Sequence, residues 1–218
     1  RFVPGDYTFT GTLGKIINAE GKRVVPNGQT ATLTVTVTGE EVTPIRVACV
    51  GDSITYGDKA EAGESYPAVL QKLLGARYEV MNFGVCGATA QSDKAPYVGS
   101  TPYTNSLASN PDVVIMMLGT NDSWNNYWNE EQFVSDYTSL IEEYMYLENK
   151  PEVYLAISPA CYIESNISAV TAKQRAIAAE LGIKTVDMYS FTENHGNWFA
   201  DGVHPNAGGY ALMARAFA

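Results

Sequence analysis

Five short apolar runs, each followed by a stretch with helical spacing, constrain this chain more than any other feature. Ile45-Arg46-Val47-Ala48-Cys49-Val50 is the first, residues 78–83 the second, Asp112-Val113-Val114-Ile115-Met116-Met117-Leu118 the third, and residues 152–157 and 183–187 the last two. Runs of this length bounded by turn residues read as buried strands. Between them, Ser65-Tyr66-Pro67 opens a helix that buries Val69, Leu70, Leu73 and Leu74 and stops at Gly75, with proline early and glycine late. Asn129 with Gln132 makes a capping-box-like start for a helix that presents Phe133, Tyr137, Leu140, Ile141 and Tyr144 on one face. A third helix runs from about 168 to 181 and ends before Gly182; a last one starts near Pro205 and carries Tyr210, Leu212, Met213 and Phe217. Strands alternating with helices call for an α/β fold whose parallel sheet is covered on both faces.

Residues 1–43 have a different texture. Ala31-Thr32-Leu33-Thr34-Val35-Thr36-Val37-Thr38 alternates strictly between apolar residues and threonine, the pattern of a half-buried strand. Asp6-Tyr7-Thr8-Phe9-Thr10 is a second strand candidate, Asn27-Gly28 marks a turn, and Gly39-Glu40-Glu41-Val42-Thr43-Pro44 reads as a linker. The expected division is therefore an N-terminal β segment over 1–43 and a main domain over 44–218. The first segment resembles the last strands of a bacterial immunoglobulin-like repeat, over about half of such a domain. Either the chain cuts through that repeat, or these strands pack onto the main domain.

Composition excludes several classes. The formal net charge of −10 disfavours nucleic acid, whose phosphates need Lys and Arg. No stretch approaches the ~18 apolar residues of a membrane span. The two histidines, His195 and His204, and the three cysteines, Cys49, Cys86 and Cys161, are not at metal-ligand spacing, so neither a metal nor another cofactor is expected. Cys49 lies inside a strand candidate, where a thiol behaves as a small hydrophobe. The chain begins with Arg1 and shows no signal peptide, which reads as a processed or excised piece of a longer polypeptide and fixes no compartment.

The chemistry gathers at the ends of the strand candidates. Gly51-Asp52-Ser53-Ile54-Thr55-Tyr56-Gly57 follows the first run directly, and open α/β sheets carry ligands beyond the carboxyl ends of their strands. Serine alone is a poor nucleophile and needs a base and an oxyanion site. Asp201-Gly202-Val203-His204-Pro205 offers an imidazole and, three positions before it, a carboxylate able to reach Nδ1 and leave Nε2 facing a serine. The competing reading is that Asp201 caps the final helix. His195, in Asn194-His195-Gly196-Asn197, has no carboxylate at usable spacing and reads as a loop histidine. Asn82-Phe83-Gly84-Val85-Cys86-Gly87-Ala88-Thr89 and Gly119-Thr120-Asn121-Asp122 leave two further strand candidates. The N–H groups of Ser53 and Gly87 and the side-chain amide of Asn121 form a candidate three-donor hole; ordinary turn glycines and an Asx-turn are the alternative. Asp52 and Asp122 read as turn-fixing aspartates. Asn121-Asp122-Ser123 and Asn166-Ile167-Ser168 fit the glycosylation pattern, which matches often by chance.

Taken together, Gly51-Asp52-Ser53, Gly87, Gly119-Thr120-Asn121-Asp122 and Asp201-Gly202-Val203-His204-Pro205 resemble, in identity and order, the blocks of the SGNH (GDSL) hydrolase family over roughly residues 45–218. The resemblance implies Ser53 as nucleophile, His204 as base, Asp201 as its orienting acid, and Ser53, Gly87 and Asn121 as the oxyanion hole. Position 55 is Thr, so the Gly-x-Ser-x-Gly elbow of the α/β-hydrolases is absent. A flavodoxin-like three-layer α/β/α fold with a central parallel sheet is expected instead. Within the family the chain is similar to bacterial carbohydrate O-acetylesterases of the acetylxylan or sialate type. With the immunoglobulin-like segment, this implies a secreted or cell-surface bacterial protein with further domains, acting on a small-molecule or polysaccharide ester.

Ser123-Trp124-Asn125-Asn126-Tyr127-Trp128-Asn129 follows Asn121 at once, and Trp124, Tyr127 and Trp128 are candidate sugar-stacking residues; the alternative is that Trp124 and Trp128 form the apolar face of a short helix. Residues 88–110, with Tyr97 and Tyr103, read as a long loop forming the other wall. No long apolar lid segment is present, which argues against lipid substrates. The expected activity is hydrolysis of short-chain acetyl esters on carbohydrate. A lysophospholipase or acyl-thioesterase is the alternative within ester chemistry, and a non-catalytic glycan-binding module the alternative outside it. A histidine base further predicts a rate that rises as His204 loses its proton, against a flat profile from about pH 5 to 8.

Overall fold

The computed structural model describes residues 5–12, 16–17, 23–24, 30–37 and 43–218. It divides into two compact units, Arg1–Thr43 and Pro44–Ala218. In the first, β1 (Gly5–Thr12) pairs antiparallel with β4 (Thr30–Val37), from Gly5 opposite Val37 to Thr12 opposite Thr30. The short strands β2 (Ile16–Ile17) and β3 (Arg23–Val24) form a second antiparallel pair. The turn at Asn27-Gly28 and the linker over 39–42 lie outside the described residues. The expected half-burial of the threonine-alternating strand does not hold: Leu33 is 62% exposed, Val35 40%, and Phe9, directly opposite Leu33, 52%. The alternation sets threonine on one face of the antiparallel pair and apolar side chains on the other, and Phe9, Leu33 and Val35 on that apolar face are exposed.

The second unit is built on five parallel strands: β5 (Ile45–Gly51), β6 (Tyr78–Gly84), β7 (Val113–Met117), β8 (Glu152–Ile157) and β9 (Lys184–Asp187). They are ordered β6-β5-β7-β8-β9, each pair parallel. All five strand candidates are thus strands, within a residue or two at their ends. The period of two along each strand sorts its side chains to opposite faces. Ala48, Val50, Val114, Met116, Val153 and Leu155 pack on one face, against α4 (Glu130–Met145) and α5 (Ile167–Leu181). Val47, Cys49, Ile115, Met117 and Ala156 pack on the other, against α2 (Tyr66–Leu74) and α7 (Ala207–Phe217). This is the three-layer arrangement, and its strand order is the flavodoxin-like one. Cys49 is fully buried, and burial pushes its thiol up to about 12, as befits a packing residue.

The helices follow their signals closely. Asn129 caps α4, accepting the N–H of Gln132, and Phe133, Tyr137, Leu140, Ile141 and Tyr144 are its buried residues. The return half of that capping box is missing: the Gln132 side chain donates to Asp136, and the N–H of Asn129 goes to Gln91. In α2, Leu70 is buried, but Leu73 is 47% exposed because it falls off the inward stripe. The stretch 88–110 is not one long loop. It holds α3 (Thr101–Ala108), capped by Ser100, whose side chain accepts the N–H of Tyr103. Tyr97 is not a wall of the site but fully buried, donating its hydroxyl to the carbonyl of Phe83, and Tyr103 bonds Glu143. A further short helix, α6 (Met188–Thr192), follows β9.

The chain switches sides between β5 and β7, which stay paired to their carboxyl ends with Gly51 opposite Met117, and the connection after β7 turns at Gly119 with φ +126°. A Cβ there would lie 2.8 Å from Ser158 Oγ and 2.9 Å from both Gln174 Nε2 and Val170 Cγ1. Gly119→Ala therefore combines a strained dihedral with overpacking and is expected to cost about 3 kcal/mol. Chemical denaturation that finds less than ~1 kcal/mol contradicts this reading of the turn.

Candidate active site

Three loops at the carboxyl ends of β5, β6 and β7 meet the loop that precedes α7. The first begins at Gly51, where a Cβ would lie 2.2 Å from Thr55 Oγ1 and 2.4 Å from the carbonyl oxygen of Met117. Only glycine permits that approach of strand and turn. Asp52 then caps α1 (Ser53–Tyr56), its Oδ1 accepting the N–H of Ile54 at 2.9 Å. Burial pushes the Asp52 carboxyl up to about 7, against the opposing pull of that N–H, with the neighbouring Asp122 adding to the rise. Ser53 is the first residue of this single-turn helix and 6% exposed.

Ser53 Oγ lies 3.0 Å from Nε2 of His204, although 151 positions separate the two residues. Nδ1 of His204 lies 2.8 Å from Oδ2 of Asp201. The other oxygen, Oδ1, accepts the N–H of His204 at 2.8 Å and of Val203 at 3.0 Å, so one carboxylate fixes both the ring and the turn that carries it. Asp201 does not cap α7; Asn206 does, accepting the N–H of Gly209. Burial is the largest single influence and raises the Asp201 carboxyl, but the backbone and ring bonds from His204, the Val203 N–H and the imidazole charge together outweigh it and hold it at about 2.

That depression has a sign. A carboxyl held below its unfolded value near 3.9 contributes stability above that value and loses it as pH falls toward 2. Asp201→Asn is accordingly expected to flatten the dependence of melting temperature on pH between about 4 and 2. The contribution is small because Asp201 is partly exposed. Melts across that acid range read it out; identical slopes in both proteins contradict the assignment.

The second and third loops are laced together. Asn121, at the start of a 3₁₀ turn over Asn121–Ser123, donates one N–H of Nδ2 to the carbonyl of Ala88 at 2.9 Å, which sets its amide beside Gly87. Asp122 bonds its own backbone N–H and also reaches across: Oδ2 accepts the N–H of Ala90, and Oδ1 the N–H and side chain of Gln91. Burial pushes this carboxyl up, and the same donors pull it back. Among the described residues, the N–H groups of Ser53 and Gly87 meet no backbone acceptor in the turns and loops. A serine against an imidazole, a carboxylate behind it and free N–H donors beside it can perform acyl transfer.

Trp124, Tyr127 and Trp128 are all partly exposed, and Trp128 also packs its ring on Phe133 at 5.3 Å, against the core. The segment carrying them is a sequence of turns, not a helix. His195 stacks on Trp198, centroids 3.8 Å apart, with no carboxylate at its ring among the described contacts.

Two features carry no sequence signal of the usual kind. Asp58 brings its Oδ2 to 3.5 Å from His204 Nε2. Tyr162 and Ile163, both exposed, flank the catalytic turn: the N–H of Tyr162 donates to the carbonyl of Gly202, and Ile163 packs over that glycine. Their one pointer is position, just beyond β8, at the carboxyl edge where the other loops lie. Asn125 joins this wall to the Trp124 segment, through Glu164 at 3.2 Å and Asn166 at 2.9 Å. Among the described residues no helix is long and apolar enough to cross a membrane.

The model of the GDSL-like lipase/acylhydrolase family matches residues 49–212. An acetylxylan esterase of Xylanibacter ruminicola is 31% identical over 206 residues, a match covering 80% of this chain and 42% of that protein. An acetylxylan esterase of Geobacillus stearothermophilus is 27% identical over 205 residues, covering 77% of this chain and 90% of that one. Among solved structures, a lipase/acylhydrolase from Enterococcus faecalis superposes with a TM-score of 0.66 at 21% identity, covering 79% of this chain and 92% of that one. The chain thus spans under half of the Xylanibacter protein and most of the Geobacillus one.

Proposed function

The chain belongs to the GDSL-like lipase/acylhydrolase family, and from that premise we propose that it is a serine esterase that removes acetyl groups from carbohydrate. The observation that carries this reading is the 3.0 Å approach of Ser53 Oγ to His204 Nε2, backed by Asp201 at 2.8 Å. Ser53 Oγ attacks the acetyl carbonyl while His204 Nε2 accepts its proton. The carbonyl oxygen, now an anion, takes hydrogen bonds from the N–H groups of Ser53 and Gly87 and from the second N–H of Asn121 Nδ2. Collapse breaks the bond to the sugar oxygen, which leaves with the proton from His204. Water then attacks the acetyl-serine by the same route and releases acetate. Asp201, low enough to stay ionised throughout, steadies the imidazolium at each stage.

The acetyl and carbohydrate preferences draw support from the acetylxylan esterase relatives and from the exposed wall of Trp124, Tyr127, Tyr162 and Asn125. Flat rings beside amide groups suit a sugar's faces and hydroxyls. We also read the N-terminal unit as part of an immunoglobulin-like segment of a secreted or cell-surface protein, on its paired, threonine-alternating strands. The test of the activity is a chain-length series of p-nitrophenyl esters with acetate release from acetylated xylan, acetylated sialic acid and a phospholipid. The expected kcat/KM is highest on the acetate and falls with acyl length. A rise toward long chains contradicts the reading and favours a lysophospholipase or acyl-thioesterase.

A further inference from the structure

We infer that Asp58 is a specificity-determining residue for the alcohol half of the ester, its carboxylate receiving a hydroxyl borne on the carbon next to the esterified one. The inference rests on the proposed esterase activity and concerns the part of the substrate that leaves. Asp58 follows α1 after a single glycine, so its position is inherited from the nucleophile turn. Its N–H donates to the carbonyl of Ser53 at 2.9 Å, and its carbonyl accepts the hydroxyl of the buried Tyr210 at 2.7 Å. Its Oδ1 accepts the N–H of Lys59 at 2.9 Å. These bonds leave Oδ2 facing His204, 3.5 Å from Nε2.

A neutral imidazole that directs its one proton at Nδ1 to Asp201 turns the Nε2 lone pair toward Ser53 and has nothing to give Oδ2. The Asp58 side chain is 38% exposed and so open to whatever arrives from solvent. Lys59 Nζ stands 3.8 Å from the other oxygen, an exposed pair of little strength. What arrives is the leaving group. His204 must pass its proton to the departing oxygen, so that oxygen comes within hydrogen-bond reach of Nε2. A substituent on the adjacent carbon then lies within reach of Oδ2. An ionised carboxylate only accepts, so it rewards a hydroxyl at that place and penalises an ether or an anion. The substrate class this selects is the monoacetylated vicinal diol, the unit present in a partly acetylated sugar ring.

The test compares 2-hydroxyethyl acetate with 2-methoxyethyl acetate, which differ in that one donor, in the wild type and in Asp58→Asn and Asp58→Ala. The asparagine variant keeps an acceptor for the Lys59 N–H and presents an amide where Oδ2 was. The expected wild-type ratio of kcat/KM, hydroxyl over methoxy, is about tenfold, as for a hydrogen bond to a charged group. Both variants are expected to bring it within about twofold of one. A wild-type ratio near one, or a ratio that survives both substitutions, overturns the role of Asp58. Phenyl acetate separates this failure from that of the underlying reading: a wild type inactive on phenyl acetate overturns the esterase itself, whereas an active one with no discrimination overturns Asp58 alone.

Discussion

Ser53→Ala is expected to lower kcat/KM on an aryl acetate by about 10⁴- to 10⁶-fold, the range seen when a hydrolase loses its nucleophile. The loss falls on kcat, because the hydroxyl makes its decisive bond only once it attacks. The residual rate is what the remaining N–H donors and binding supply to water. The expected change in folding stability is within about 0.5 kcal/mol, since Ser53 Oγ has His204 as its hydrogen-bond partner and the α1 turn is held by Asp52 and by backbone bonds to Ser53 O. Activity above about a tenth of wild type, with an unchanged melt, contradicts the assignment of the nucleophile.

Asp201→Asn is expected to reduce kcat by about 10⁴-fold with a much smaller effect on KM. The geometry supplies the reason. Oδ1 of Asp201 is committed to the N–H groups of His204 and Val203, so an asparagine keeps its carbonyl there and turns its amide toward Nδ1. The amide donates to Nδ1, the ring proton moves to Nε2, and that N–H then faces Ser53 as a donor rather than a base. The turn survives while the tautomer is wrong. Separate kcat and KM measurements on p-nitrophenyl acetate check this; a kcat within tenfold of wild type contradicts the role given to the carboxylate.

Much of the fold and the site is legible in the order of residues because it depends on short-range rules. The strands announce themselves as apolar runs, and the switch from period two to helical spacing gives the layers. Asn129 and Gly182 mark helix ends by the chemistry of their own side chains and backbone. The glycines and aspartates around Ser53 and His204 stand out because a tight turn, a cap and a tautomer each demand particular residue types. The failures arise where side-chain packing overrides the local pattern. Tyr97 lies among proline, serine and asparagine, yet the carbonyl of Phe83 and the ring of Tyr103 hold it in the interior. The helix over Thr101–Ala108 carries its signals, Ser100 at the cap and Pro102 in the first turn, but its weak apolar stripe hides them. Asp58 carries no local signal, because its meaning lies in a histidine 146 positions further along.

The central claim is that the Ser53 hydroxyl, made nucleophilic by His204, takes up the acyl group. A fluorophosphonate probe followed by peptide mapping tests it most directly. The account predicts one adduct, on Ser53, formed together with complete loss of acetate release from acetylated xylan and suppressed in His204→Ala. An adduct on another residue, or acetate release that continues at full rate once Ser53 is blocked, contradicts it.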